Sequence, residues 1–135
     1  RDPLTERYAW RVWPAPDYDR MQAAAGVIMG IHDFSPFGRP THPNGSTIRQ
    51  VFHAGWKQAG NQLSFEVTAN AFLYHMVRRM VFVQVSCGQG KLTPEEISQV
   101  LQFPQNHPVF QGLAPAQGLS LIEIRYLSAD ARVIW

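Results

Sequence analysis

The sequence predicts an α+β fold, with a mostly antiparallel sheet and helices packed on one face of that sheet. Segments in which apolar and polar residues alternate are interleaved with segments of helical periodicity, and two of the alternating segments are separated only by a turn. No internal repeat is present. The 135 residues are close to the commonest domain size, so we treat 1–135 as one domain.

Alternation with a period of two predicts four strands, at residues 7–13, 47–52, 63–67 and 119–126. The two central strands flank the turn-forming residues 58–61, so we expect them to pair as an antiparallel hairpin. Residues 33–46 contain three prolines and two glycines, which favours a loop, with the aromatic rings of Phe34 and Phe37 turned inward.

Local start and stop signals delimit two of three predicted helices. Asp17 or Asp19 can cap the first helix, which is expected to end at Gly30. The sequence Thr93-Pro94-Glu95-Glu96 combines a capping threonine, a proline at the first helical position and a glutamate three residues after the cap. This combination predicts a short helix that ends near Phe103.

The third predicted helix lies between these two and covers residues 71–85. It is too long for one strand and apolar nearly all round, which is typical of a helix buried on most of its surface. Gly88 and Gly90 are expected to end it.

The composition excludes several classes of protein. With 45% hydrophobic and 16% charged residues the chain is not disordered, and a net charge of +2 does not by itself indicate a nucleic-acid partner. Cys87 is the single cysteine, which fits a reducing compartment, and we expect it in the core. No long apolar run, leader or metal-ligand cluster is present, so we expect a cytoplasmic protein with no metal and no membrane partner.

Two arginines lie within the apolar helix. At least one of Arg78 and Arg79 must be removed from water, and an unpaired buried charge is so costly that it needs an anionic or hydrogen-bonding partner. From the residues alone, an ion pair between Arg78 and Glu66 or Glu123 on a neighbouring strand is a better explanation than catalysis.

The same helix is expected to carry a polar face. Asn70, Tyr74 and Arg78 recur at a spacing of four and His75 lies beside them. Taken together, these side chains form a candidate site on an otherwise apolar element.

The residues of this helix also resemble a known family. The sequence Ala69-Asn70-Ala71-Phe72-Leu73-Tyr74-His75-Met76-Val77-Arg78 is very similar to a segment of the bacterial tRNA pseudouridine synthase A family. The similarity continues in collinear order through residues 30–34, 90–97 and 114–121, and it covers about residues 7 to 126. It therefore identifies the chain with the C-terminal half of such an enzyme, with a pseudouridine synthase-like fold.

The resemblance implies isomerisation of uridine to pseudouridine in tRNA, without a cofactor. In this family the base is cut from its ribose, turned and rejoined through C5 by an aspartate in a Gly-Arg-Thr-Asp-Ala-Gly segment. Neither Asp33 nor any other aspartate of this chain matches that segment. The chain alone is therefore expected to be inactive, with tRNA, an aspartate-bearing N-terminal half and a second copy in a homodimer as its partners.

The resemblance also assigns roles to residues. Arg78 matches the arginine that pairs with the catalytic aspartate, and Tyr8 matches a tyrosine that stacks on the target base and can move the C5 proton. Leu119 matches the apolar residue that lines the base pocket. Asn70 and His75, which come from the polar face of the helix and not from the family pattern, are predicted to bind substrate. A flipped base needs such an aromatic face and apolar wall.

Three positions depart from the family pattern. Trp10 replaces a tyrosine, Arg79 replaces an asparagine and Phe82 replaces a glycine. Two other functions stay open: a non-catalytic RNA-binding module of the same fold, and a stable domain in which Arg78 forms only a structural ion pair.

Overall fold

The structure is a computed structural model that describes residues 12–40, 42–60 and 62–115, apart from the side chain at 59, together with the backbone of 120–125 and 130–134. Within this part of the chain the strands are β1 (Gly30–Asp33), β2 (Ile48–Ala59), β3 (Gln62–Ala69), β4 (Ser120–Arg125) and β5 (Asp130–Ile134). They form one sheet in the order β1-β2-β3-β5-β4, and all neighbours are antiparallel. This confirms the predicted antiparallel sheet.

The helices of the described part are α1 (Tyr18–Ile28), α2 (Met76–Gly88) and α3 (Pro94–Gln102), with short 3-10 turns at Ser35–Phe37 and Pro104–Asn106. The Asp17 side chain caps α1 by accepting from the backbone N–H of Arg20. In α3 the predicted capping box is present, because Thr93 accepts from the backbone of Glu96 while the Glu96 side chain accepts from the backbone of Thr93. The α+β prediction and its three helices are confirmed.

Several predicted boundaries differ from the structure. The first helix ends at Ile28, and Gly30 instead begins β1, which pairs with residues 48–51 of β2 and was not predicted. Strand β5 was not predicted either, whereas the hairpin β2–β3 is confirmed and longer than expected. Residues 7–11 of the first predicted strand lie outside the described part of the chain, and Val12 and Trp13 are not in a strand.

The core lies on one face of the sheet. Alternate residues of β3, namely Phe65, Val67 and Ala69, are buried under the helices, as are Val51, Ala54 and Trp56 of β2. A register shift between residues 51 and 53 lets Val51 and Ala54 face the same side although three positions separate them. Phe34 and Phe37 are fully buried as predicted, and Cys87 lies in the core.

The predicted start of the second helix was wrong. Helix α2 begins at Met76 and not at residue 71, because His75 lies in the left-handed region at φ 61° and ψ 12°, which interrupts a right-handed helix. Tyr74 is held in a bridge to Arg39 by a backbone hydrogen bond of 3.0 Å. Asn70 and Tyr74 therefore do not share a helical face with Arg78, because Arg78 lies in the first turn of α2.

Gly38 permits this close approach of two segments. A Cβ atom at Gly38 would lie 2.5 Å from the carbonyl oxygen of Tyr74, which is far inside van der Waals contact. The segment before α2 therefore follows the loop beside Gly38 instead of continuing a helix.

A buried glutamine joins α2 to the sheet. The Gln84 side chain accepts a hydrogen bond of 2.9 Å from the indole N–H of Trp56 and donates to the carbonyl of Met80 at 3.0 Å. On the other side, Gln22 of α1 accepts from the backbone N–H of Trp56 at 2.7 Å and donates to its carbonyl at 3.0 Å. The two bonds from Gln22 satisfy the backbone N–H and carbonyl of Trp56, which lies in the part of β2 beyond its pairing with β1.

Replacing Gln84 by leucine should lower the free energy of unfolding by about 1–2 kcal/mol, because the buried indole N–H of Trp56 loses its acceptor. Urea denaturation measures the change, and Gln99→Leu on the exposed side of α3 is the matched control. Adding Trp56→Phe to Gln84→Leu should cost less than the two single changes summed, because the orphaned donor is gone. Simple additivity would contradict the assigned hydrogen bond.

No helix in the part of the chain that the structure describes is both long enough and apolar enough to cross a lipid bilayer.

Candidate functional site

The site is built around the first turn of α2, where Arg78 is partly buried. Its Nε donates a hydrogen bond of 2.7 Å to the carbonyl oxygen of Ala114, and the backbone N–H of Ala114 donates to the carbonyl oxygen of Arg78 at 3.1 Å. These two bonds hold the Arg78 backbone carbonyl and the Nε atom of its guanidinium against Ala114. They leave its terminal nitrogens with donors available for an anion.

No carboxylate pairs with Arg78 among the side chains that the structure describes. Glu66, one of the two partners proposed from the sequence, lies in β3 between buried Phe65 and Val67 and therefore faces away from the core. Its Oε1 is 3.8 Å from Nε2 of His53. The ion pair with Glu66 is therefore not formed, and the side chain of Glu123 lies outside the described part of the chain.

Arg79 binds main-chain carbonyl groups. Its Nε donates to the carbonyl of Phe110 at 3.0 Å, and one terminal nitrogen lies 3.4 Å from the carbonyls of Phe37 and Tyr74. Burial, followed by the nearby charges of Arg39 and Arg78, lowers the pKa of Arg79 from its usual value. The two arginines of α2 thus hold the segment from Phe110 to Ala114, the first through Ala114 and the second through Phe110.

His75 and Tyr74 form a stacked pair beside Arg78. Their ring centroids are 3.8 Å apart at an interplanar angle of 25°, and the guanidinium carbon of Arg39 lies 5.0 Å from the Tyr74 centroid. His75 Nε2 is 3.4 Å from a terminal nitrogen of Arg78. Burial, and then the charges of Arg78, Arg79 and Arg39, lower the pKa of His75, which favours a neutral ring that can accept from Arg78.

The structure brings together only some of the predicted site residues. Arg78 and His75 are neighbours, whereas the hydrogen bonds of Asn70 join it to Gln50, with the Asn70 side chain accepting at 3.0 Å. Tyr8 and Leu119 lie outside the described residues. The contribution of Arg39 was not predicted, because it depends on a bridge to a distant segment that carries no local sequence signal.

Within the described ranges, no three His, Cys, Asp or Glu side chains approach closely enough to hold a metal ion. The chemistry available to this site is therefore that of an arginine with free donors, a neutral imidazole and an exposed aromatic ring. Such a set can bind and orient an anion. It contains no nucleophilic carboxylate of its own among the described side chains.

Comparisons with known proteins agree on one family. A family model described as tRNA pseudouridine synthase matches residues 24–127. The chain is 37% identical over 125 residues to tRNA pseudouridine synthase A of Moorella thermoacetica, which covers 93% of the chain and 50% of that protein. The identity to the protein of the same name from Pyrococcus horikoshii is 36% over 112 residues, with 82% and 41% covered.

A third relative is tRNA pseudouridine synthase A of Corynebacterium glutamicum, with 33% identity over 132 residues that cover 93% of the chain and 45% of that protein. The chain thus spans about half the length of the curated relatives it matches.

Proposed function

Because the chain belongs to the tRNA pseudouridine synthase family, we propose that it supplies the arginine-bearing half of an enzyme that converts uridine to pseudouridine in tRNA. The observation that carries this proposal is Arg78, whose Nε is anchored on the Ala114 carbonyl while its terminal nitrogens meet no described carboxylate. An aspartate from the N-terminal half of the enzyme would be that missing partner. The reaction breaks the bond between base and ribose, turns the base and rejoins it through C5, and it needs no cofactor.

The role of Arg78 follows from electrostatics. A nucleophilic carboxylate in a desolvated pocket tends to take up a proton, and a fixed cation within hydrogen-bonding distance keeps it ionised and oriented. A guanidinium held through Nε can present two parallel donors to both carboxylate oxygens. Neutral His75 accepts from the same guanidinium, so it can help to orient that fork.

The remaining site residues of the proposal surround the base and the RNA. Tyr8 would stack on the flipped base and move the C5 proton, and Leu119 would form the apolar wall of the pocket. Asn70 and His75 would contact the substrate. For the whole protein we propose tRNA as substrate, assembly as a homodimer and action in the cytoplasm.

The proposal predicts that the 135 residues alone release no tritium from tRNA labelled at C5 of uridine, whereas the same chain joined to an aspartate-bearing N-terminal half releases it. The physical reason is that this chain has no Gly-Arg-Thr-Asp segment and so lacks the nucleophile. We call this chain joined to its N-terminal half the joined enzyme. The matched control is a joined enzyme in which that aspartate is replaced by asparagine, and it should be inactive.

Turnover by the chain alone would contradict this division of the site. A joined protein that binds tRNA but releases no tritium would instead support a non-catalytic RNA-binding module.

A further inference from the structure

Three arginine side chains converge around His75 at the start of α2. We call Arg39, Arg78 and Arg79, together with Tyr74 and His75, the arginine patch. The charges of all three arginines reach His75, and no described carboxylate forms an ion pair with any of them. Neighbouring positive charges repel one another, so an anion that binds to the patch lowers this repulsion and stabilises the patch.

The three guanidinium groups of the patch differ in how many hydrogen-bond acceptors they already contact. Arg79 donates to three carbonyls and Arg78 to Ala114, whereas the Arg39 side chain has no hydrogen bond or ion pair with the described residues. Arg39 is exposed. Considering only the part of the chain that the structure describes, Arg39 is therefore the member of the patch with all its donors open to an incoming anion.

Arg39 is nevertheless held in place. Its backbone carbonyl accepts from the Tyr74 N–H at 3.0 Å, and its guanidinium lies over the Tyr74 ring at 5.0 Å from the centroid. His75 stacks on Tyr74 with ring centroids 3.8 Å apart, so the Tyr74 ring contacts both the imidazole and the guanidinium. A positioned guanidinium loses less conformational entropy on binding than a free one.

We propose that Arg39, held on the Tyr74 ring, binds a backbone phosphate of the RNA beside the site at Arg78. This inference rests on the proposed function, because it takes RNA as the ligand. A phosphodiester fits the planar fork of a guanidinium, and its negative charge offsets the positive charges of the patch. Stacking of a base on Tyr74 is a poorer fit, because the base would compete with the contacts that the ring already makes with His75 and Arg39.

The proposal predicts a defined change in salt dependence. In the joined enzyme, Arg39→Gln should weaken the Kd for tRNA about fivefold at moderate salt and make the plot of log affinity against log KCl shallower by about one unit. Filter binding across a series of KCl concentrations measures both. The change in Kd should exceed any change in kcat at saturating tRNA, because Arg39 contacts no reacting atom in this proposal.

Matched variants separate the charge from its position. Arg20→Gln removes an exposed arginine beside Gly90, at the other end of α2, and should leave both Kd and slope unchanged. Arg39→Lys should keep the slope. Tyr74→Leu should keep the slope but weaken the Kd about threefold, because the guanidinium loses its aromatic support, while Tyr74→Phe should not.

An unchanged Kd and slope in Arg39→Gln would overturn the proposal, because a guanidinium that binds a phosphate must contribute to both. Tritium release by the unmodified joined enzyme tests the proposed function separately. If that enzyme is inactive but Arg39→Gln still changes the slope by one unit, the phosphate site stands and the catalytic function fails.

Discussion

Replacing Arg78 by methionine should lower pseudouridine formation by the joined enzyme about a hundredfold or more, with little change in the Kd for tRNA. Methionine keeps most of the length and apolar stem of the side chain but removes the donors that would hold the catalytic carboxylate ionised and in place. Loss of one positioned donor to a reacting charge commonly costs a factor of about 100–1000 in kcat. Tritium release at saturating tRNA measures the loss.

Two further variants make the Arg78 result specific. Arg78→Lys keeps the charge but cannot donate through Nε to Ala114 and also present a two-pronged fork, so turnover should still fall about tenfold or more. Arg20→Met removes an exposed arginine of α1 and should leave kcat unchanged. If Arg78→Met instead kept full turnover and raised the free energy of unfolding, Arg78 would be a structural residue only.

The parts of the fold that the sequence predicted well are those that depend on neighbouring residues. The capping box of α3 involves Thr93 and Glu96 within one turn, and the β2–β3 hairpin closes over the turn at Gly60. Both are specified by groups a few positions apart in the chain. Their interactions can therefore be read without knowing the tertiary structure.

The parts that failed depend on distant partners. The segment before Met76 is as apolar as α2 itself, so periodicity cannot show where the helix begins, and the deciding bond runs from Tyr74 to Arg39. Strand β1 has only four residues and is defined by its pairing with residues 48–51 of β2. A short edge strand of this kind leaves little pattern in its own sequence.

The candidate site shows the same division. The sequence marked Arg78 because a charge among apolar residues needs a partner, and that argument concerns the helix alone. The partner in the structure is the carbonyl of Ala114, a main-chain group that every residue possesses and that no motif could reveal. The sequence also shows that Arg79 departs from the family pattern. It cannot show the reason, because the three carbonyl groups that accept from Arg79 come from separate segments.

Phe82, the other departure from the family pattern on α2, has a structural counterpart in Gly112. A Cβ atom at Gly112 would overlap the Phe82 ring, with three ring atoms as its nearest neighbours. The large side chain on the helix and the missing side chain in the opposing segment therefore form one packing unit. Gly112 also lies between Phe110 and Ala114, whose carbonyls accept from Arg79 and Arg78.

Gly112→Val should consequently lower the free energy of unfolding by about 2–3 kcal/mol, because the Phe82 ring must move or the segment must shift. Phe82→Ala alone should cost less than that, since the ring is only partly buried. The double variant should recover at least about 1 kcal/mol relative to the sum of the single changes, because removing the ring removes the clash with the valine.

Urea denaturation of the four proteins closes this cycle, and tritium release by the corresponding joined enzymes links it to the site. A shift of the segment at Gly112 would move the Ala114 carbonyl that anchors Arg78, so Gly112→Val should also lower kcat. Adding Phe82→Ala to Gly112→Val should restore part of the lost kcat. The matched control is Gly26→Val on the exposed side of α1, where an added Cβ meets no atom, and it should change the free energy of unfolding by less than about 1 kcal/mol. Additive stability changes in the Phe82–Gly112 cycle would show that the two positions do not form a packing unit.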